Sequence, residues 1–567
     1  MKEVHSTQQH DFLKGAAILA AASIFVKIIS AVYKIPIFNI LDDAGAGFFQ
    51  ATYSVYALIL TIATFGIPLA LSRLISSAAA KGQTRLVKRY FSVSMPTFAL
   101  VGIIAMAIMF FFADGLGAFI RNTSAAYGIR VLAPAVFFVC IIAVFRGYTQ
   151  GFQDMIPTAM SQITEVLCKA LFGIFIALWL TGRHFASDIV SAGALMGVTI
   201  GLGLCIPILV WYKKKFDKKL PQVDDSSELP GRVSVIARVL KVSIPITIGA
   251  SFMSIMSLVD TIIVMGRLQD ALGYAEFEAS SQFGILAKGL TIYNLPSALI
   301  VPIAVSAMPA IAASLAKDHS EEAGRIMQSA IKIVVMMALP AAAGVIVLAN
   351  PIMISLYEDP RSVTAVVLSV LGAASFFVCL QLITTAVLQA NGYERIAMLT
   401  FPLGAIAKIV ISYILVGDPR FEILGSAIGT LACFVVISFT NLSVILIKIK
   451  HRPGGKGFKS FSSVVSGVFF KPVLCTAVMA VCAFFSYRLF LMLDSLIFGR
   501  ESFIVRELIV DNISASDRIA ITVYMAFAIL FAVFIYGVAI ITTRTITEDD
   551  IKLMPKGEKM AKILKIR

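Results

Sequence analysis

Seven side chains in this 567-residue sequence place charge inside long apolar runs: Lys27, Arg73, Glu165, Lys169, Asp260, Lys288 and Lys408. An ionisable group at the middle of a bilayer costs several kcal/mol unless protein or water faces it, so each of these is a candidate for binding. Glu165 and Lys169 are four residues apart and share a helix face, and Ser161 and Gln162 extend that polar stripe by one turn. They form either a self-neutralising pair or one wall of a site. Lys408 has Phe401, Gly404 and Ala405 on its neighbouring turns and no acid, so it either snorkels to an interface or faces a cavity. Lys27 is similarly central in its run, whereas Lys288 lies nearer an interface. Asp260, in SLVDTIIVMGR, either accepts a proton or cation or pairs with a lysine or with Arg267. Arg73, Arg130, Arg146 and Arg267 sit closer to the ends of their runs, where arginines more often anchor topology than hold ligands. The deep positions hold four lysines against two acids, and that excess selects an anion. Phosphate or diphosphate fits, because ammonium groups in a low-dielectric cleft bind phosphate as point charges.

The elements that position these residues are membrane spans. With 59% hydrophobic and 14% charged residues and a mean hydropathy of +0.90, most of the surface has lipid as its solvent. Apolar runs long enough to cross a hydrocarbon core of roughly 30 Å lie near 12–35, 46–72, 91–113, 127–147, 157–180 and 187–212, then near 240–266, 282–313, 327–350, 362–390, 396–416 and 423–447. A last pair lies near 467–493 and 518–543. The expected fold is an all-α integral membrane protein of about 14 spans. Its parts are an N-lobe (1–212), a linker (213–239), a C-lobe (240–449), a loop (450–466), two further helices (467–543) and a basic tail (544–567). The first run follows a polar stretch with His5, His10 and Asp11, contains Lys27 and lacks a cleavage site, so it reads as a retained helix.

The net charge of +15 is mostly topological rather than a nucleic-acid signal. With the amino terminus inside, the inner gaps hold most of the 48 Lys and Arg residues, among them Lys81, Arg85, Lys88, Arg89, Lys448 and Lys450. Both termini, the linker and the 450–466 loop are therefore expected on the cytoplasmic side of the membrane. The seven cysteines all fall in apolar runs without a CxxC pair, so free thiols and no metal site are expected. No other cofactor is expected, and sodium, proton or membrane potential remain as alternative driving forces.

Two blocks of six spans have the same orientation, and traces of a duplication relate them. Phe137-Phe138-Val139-Cys140 recurs as Phe376-Phe377-Val378-Cys379, an offset of 239 residues (376 − 137) that also carries Gln150 onto Gln389 and Lys169 onto Lys408. Parallel six-helix repeats with proline-interrupted helices, here Gly66-Ile67-Pro68 and Asn294-Leu295-Pro296, point to a binding site between halves.

The six, six and two layout and three segments carry a resemblance: GFFQATYSVYALILTIATFGIPLALSRLIS (47–76), FRGYTQGFQDMIPTAMSQITEV (145–166) and NLPSALIVPIAVSAMPAI (294–311). Over nearly the whole chain the sequence resembles the polysaccharide-transport branch of the multidrug/oligosaccharidyl-lipid/polysaccharide exporter superfamily. Within that branch it is similar to the stage V sporulation protein B-like lipid II flippases of Gram-positive bacteria. The resemblance implies two lobes around a V-shaped alternating-access cavity, with the last two helices lining a groove for a lipid tail. It further implies basic residues in helices one, two and eight that hold a lipid diphosphate, matched here by Lys27, Arg73 and Lys288. The first helix offers Lys27 and Lys34 where better-known flippases use arginines, and the only acids of the first outer loop are Asp42 and Asp43.

The function expected is therefore translocation of an undecaprenyl-diphosphate-linked sugar, the peptidoglycan precursor lipid II foremost, with no enzymatic step. The partners expected are that polyprenyl-diphosphate-linked saccharide, membrane lipids and the cell-wall or spore-cortex synthesis machinery, and no nucleic acid. A cation-coupled multidrug exporter of the same fold is the alternative transporter, and it calls for an acid-rich cavity. A membrane glycosyltransferase calls for catalytic acids or histidines on a large outer loop. The longest such loop, near 494–517, has Asp494, Glu501, Glu507 and Asp511 but no His. A non-transporting scaffold is the third alternative, and buried lysines argue against it.

Overall fold

Apolar runs of this length leave no water to pair with backbone N–H and C=O groups, and a helix satisfies all of them within its own segment. The computed structural model describes residues 18, 19, 21–64, 66–217, 229–449, 465–498, 514–543 and 545, and among them every regular element is helical. Fourteen spans are long and apolar enough to cross a membrane, as expected. The first is α1 (Ala21–Ile40). It is followed by α2 (Asp43–Thr64), α3 (Gly66–Ala80), α4 (Thr84–Phe111), α5 (Ala113–Phe119), α6 (Ala125–Gly151), α7 (Ile156–Thr181) and α8 (Ser187–Asp217). Next come α9 (Arg232–Asp270), α10 (Glu276–Ala316), α11 (Ser320–Val347), α12 (Ala349–Tyr357) and α13 (Ser362–Ala390). The chain continues as α14 (Glu394–Val416), α15 (Ile423–Val444), α16 (Lys471–Phe498) and α17 (Ala515–Thr542). The polar stretch of His5, His10 and Asp11, the middle of the 213–239 linker, most of the 450–466 loop, Glu501, Glu507 and Asp511, and nearly all of the tail lie outside the described residues.

A proline decides where the first span breaks. Pro36 has no N–H to donate and its ring crowds the carbonyl four residues earlier, so the first helix turns at Tyr33 and restarts as Lys34–Ile40. The span therefore ends five residues beyond its expected end, and Lys34 falls inside it. The second span, Asp43–Ala80, is described as α2 and α3 on either side of residue 65, and Pro68 lies in α3. Gly66 is required by close approach: a Cβ there would lie 2.2 Å from the Ser243 carbonyl oxygen. The helix α10 holds three prolines, Pro296, Pro302 and Pro309, over 41 residues.

The chain forms two compact units, Met1–Ala287 and Lys288–Arg567, with the boundary inside α10. In the first, α7 packs on α8, α6 on α4 and α8, and α9 on α2 and α3. Small residues and hydroxyls run along the α2–α9 contact: Thr261 Oγ1 donates to Ser54 Oγ at 3.0 Å, and the Thr61 and Ser254 hydroxyls are 2.8 Å apart. In the second unit α14 packs on α15, α13 on α11 and α15, and α16 on α17. The Arg518 guanidinium of α17 donates to the Ser355 carbonyl at 3.1 Å and pairs with Glu358, fastening the last helix to the end of α12.

The duplication traced in the sequence reappears as one helix crossing present in each unit. In the first, a Cβ at Gly197 of α8 would lie 2.5 Å from Gly173 N and 2.7 Å from the Lys169 carbonyl oxygen of α7. In the second, a Cβ at Gly429 of α15 would lie 2.1 Å from Ser412 Oγ and 3.2 Å from the Lys408 carbonyl oxygen of α14. Lys408 and Ser412 are the 239-residue counterparts of Lys169 and Gly173. Small residues at the crossing let the backbones approach, which is how helices associate when lipid is as apolar as their side chains.

Candidate functional site

The break at Tyr33 re-aims the side chain that follows it. Lys34 Nζ lies 5.7 Å from the centre of the Tyr53 ring and 6.0 Å from that of Phe38. From α7, Lys169 Nζ lies 5.3 Å from the same Tyr53 ring and 4.8 Å from that of Tyr33. Two ammonium groups thus share one aromatic ring in the interior of the first unit. Tyr33 and Phe38 are buried, and Phe49, stacked on Tyr53 with centroids 6.4 Å apart, fixes the ring from α2. The negative ring faces attract the cations without neutralising them. Among the described residues no carboxylate lies within ion-pair distance of either ammonium.

The helical-spacing pair expected between Glu165 and Lys169 is replaced by one across helices. Arg146, near the end of α6, donates from Nε to Ser161 Oγ at 2.9 Å and from a terminal nitrogen to Glu165 Oε2 at 3.0 Å. Ser161 and Glu165 are one turn apart on α7, and the planar guanidinium fork spans both, a geometry a single ammonium cannot match. Glu165 is therefore engaged by Arg146, and Lys169 turns to the tyrosines. Arg146, read from sequence as an end-of-helix anchor, belongs to this cluster, as does Lys34. Three cations meet one acid here.

The remaining candidates are placed elsewhere. Lys27 and Arg73 are exposed, on α1 and α3. Asp260 is buried on α9, next to the Thr261 that bonds α2. Lys288 is a buried cation with a built-in counterion: its Nζ lies 3.7 Å from Asp359 Oδ2 and 5.8 Å from the centre of the Tyr357 ring. Asp359 is 3% exposed at its side chain and also accepts from Arg361 Nε at 2.8 Å and a terminal nitrogen at 2.5 Å. Asp359 escaped the sequence reading because it lies in a connection, 71 residues (359 − 288) from its lysine. Lys408 is half-buried in the second unit, its backbone at the α14–α15 crossing. The signals that could have marked Lys34 and Arg146 were Pro36, which forces a break beside Lys34, and the polar run Arg146-Gly147-Tyr148-Thr149-Gln150.

Comparisons with known proteins bear on the family and the fold. The chain is 25% identical over 570 residues to the uncharacterized membrane protein YabM of Bacillus subtilis, spanning 100% of this chain and 99% of that one. It is 25% identical over 450 residues to stage V sporulation protein B of B. subtilis (78% of this chain, 86% of that one). To the lipid II flippase MurJ of the same organism it is 24% identical over 443 residues (74% and 80%). The solved structure of a lipid II flippase MurJ in an inward closed conformation superposes with a TM-score of 0.64 at 14% identity, over 92% of this chain and 99% of that one, and it shows the shared exporter fold. The sequence model of the polysaccharide biosynthesis protein family matches residues 12–315, more than half of the chain, and the chain belongs to that family.

Proposed function

We propose that this protein is a flippase that carries a polyprenyl-diphosphate-linked saccharide, the peptidoglycan precursor lipid II foremost, from the inner to the outer leaflet of a bacterial cytoplasmic membrane by alternating access. The observation that carries the reading is the pair of ammonium groups on Tyr53, inside two apolar spans, with the nearby Glu165 taken up by Arg146. Cations held so deep are costly unless a counterion joins them, and a diphosphate supplies that counterion. A cationic drug would meet repulsion at the same place. Family membership and the likeness to stage V sporulation protein B and MurJ of B. subtilis support a lipid-linked saccharide as the cargo. On this reading Lys34 and Lys169 are the principal phosphate ligands, with Lys27 and Arg73 drawing the head group in from exposed positions. Both termini lie in the cytoplasm, as the distribution of Lys and Arg favours.

Purified protein in proteoliposomes loaded with fluorescent lipid II tests this directly. Outer-leaflet exposure is expected to rise with the wild-type protein and to fall at least about tenfold with Lys34→Gln/Lys169→Gln, as expected for losing charge-assisted hydrogen bonds. Equal exposure by wild type and double variant, or export of a cationic dye in place of the lipid, overturns the proposal.

A further inference from the structure

We infer that Glu165 sets which polyprenyl diphosphate the Tyr53 site accepts, by trimming its charge to match a diphosphate capped by a sugar and not a bare one. The inference rests on the flippase reading above. Lys34 and Lys169 meet at Tyr53, Glu165 is one turn from Lys169 on α7, and Arg146 is bound to Glu165. Three positive charges and one negative leave a net charge of +2. A sugar-capped polyprenyl diphosphate is a diester of diphosphoric acid with two ionised oxygens, charge −2. Without the sugar the terminal phosphate has a further proton, with a pKa of about 6, and at pH 7 the lipid is close to −3.

In a site walled by apolar side chains an unmatched charge is poorly screened, so the two lipids differ by one uncompensated charge in the same position. Arg146 and Glu165 are partly buried, with 16% and 33% of their side chains exposed. Lys27 is exposed on α1, and its charge is constant across the variants below. A flippase that took the bare lipid equally well would carry the returning carrier as readily as the loaded one, and Glu165 prevents that. A site without Glu165 would favour the bare carrier.

The test is binding of the full-length protein, in nanodiscs at pH 7, to undecaprenyl diphosphate and to undecaprenyl diphosphate capped with one N-acetylhexosamine. The readout is the ratio of the two dissociation constants, so that general weakening cancels. Glu165→Gln raises the site to +3 and is expected to shift the ratio toward the bare lipid by at least about tenfold. Because that variant strands Arg146, Arg146→Gln/Glu165→Gln is the decisive one: it removes both members of the pair, restores +2 and is expected to bring the ratio back toward the wild-type value. Glu165→Asp is expected to keep it. An unchanged ratio in Glu165→Gln, or a double variant that keeps the single variant's ratio, overturns the assignment to Glu165 alone. Failure of the wild type to bind either lipid overturns the flippase reading itself.

Discussion

The two halves of this protein share a helix crossing and differ in what they place beside it. In the first, the crossing of α7 and α8 is flanked by Arg146, Ser161 and Glu165, with Lys169 turned to Tyr33 and Tyr53. The 239-residue counterparts in the second are Thr385, Thr400, Gly404 and Lys408. There Thr385 Oγ1 accepts from Gln381 Nε2 at 3.0 Å and from Asn441 Nδ2 at 3.1 Å. The reason is steric and legible at one contact. In the first unit the small residue is Gly201 of α8, whose Cβ would lie 2.8 Å from the Glu165 carbonyl oxygen, so the acid on α7 has room. In the second unit the small residue is Gly404 itself, pressed against Ile437 and the Cys433 carbonyl of α15. At this crossing the glycine has moved from one helix to the other, and with it the room for a carboxylate.

Transplanting the acid is the most severe way to break this comparison. Gly404→Glu would put its Cβ 2.5 Å from Ile437 Cγ1 and 2.9 Å from the Cys433 carbonyl oxygen, forcing α14 and α15 apart. A loss of several kcal/mol is expected, seen as collapse of the monodisperse peak in fluorescence size-exclusion chromatography. A stable Gly404→Glu protein would show that the crossing is looser than its geometry.

Removing the native acid comes next. Glu165→Ala leaves Arg146 without its carboxylate and is expected to destabilise the protein by about 2 kcal/mol in thermal melts of the detergent-purified chain. Adding Arg146→Thr, which copies the second half, is expected to recover much of that loss, because the stranded charge goes with it. No recovery would mean that Arg146 is held by more than Glu165 and Ser161.

Function separates from folding at Lys169. Lys169→Gln keeps the helix and the Arg146–Glu165 pair, so melting is expected to change little while lipid II exposure in proteoliposomes falls about tenfold to a hundredfold. Activity at the wild-type level would move the site away from Tyr53. The smallest effect belongs to the Thr385 contacts: Thr385→Val removes two accepted hydrogen bonds and is expected to cost roughly 0.5 to 1.5 kcal/mol of stability, the range for interhelical hydrogen bonds in membranes. A larger cost would make the second half's network more than a structural fastening.

Composition and run length alone determined the fold class, the number of spans and the pairing of the two halves, because a bilayer admits few alternatives to a helix and a duplicated helix pair leaves residues in register. The sequence also determined that charge lies deep in the membrane and that lysine dominates it. Which charges meet was decided by tertiary structure. Spacing along one helix joined Glu165 to Lys169, but the fork of Arg146 reaches across from α6 and takes the carboxylate. Lys34 stood at the expected end of a span until the turn at Tyr33 brought it onto Tyr53 from one side while α7 brought Lys169 from the other. Lys288 had no acid within a turn of it on its own helix, and Asp359 arrives from a connection far along the chain. A one-dimensional pattern reports which residues share a helix face; it carries no information on which helices are neighbours, and ion pairs and cation–aromatic contacts extend only a few ångströms, so partners are chosen by packing.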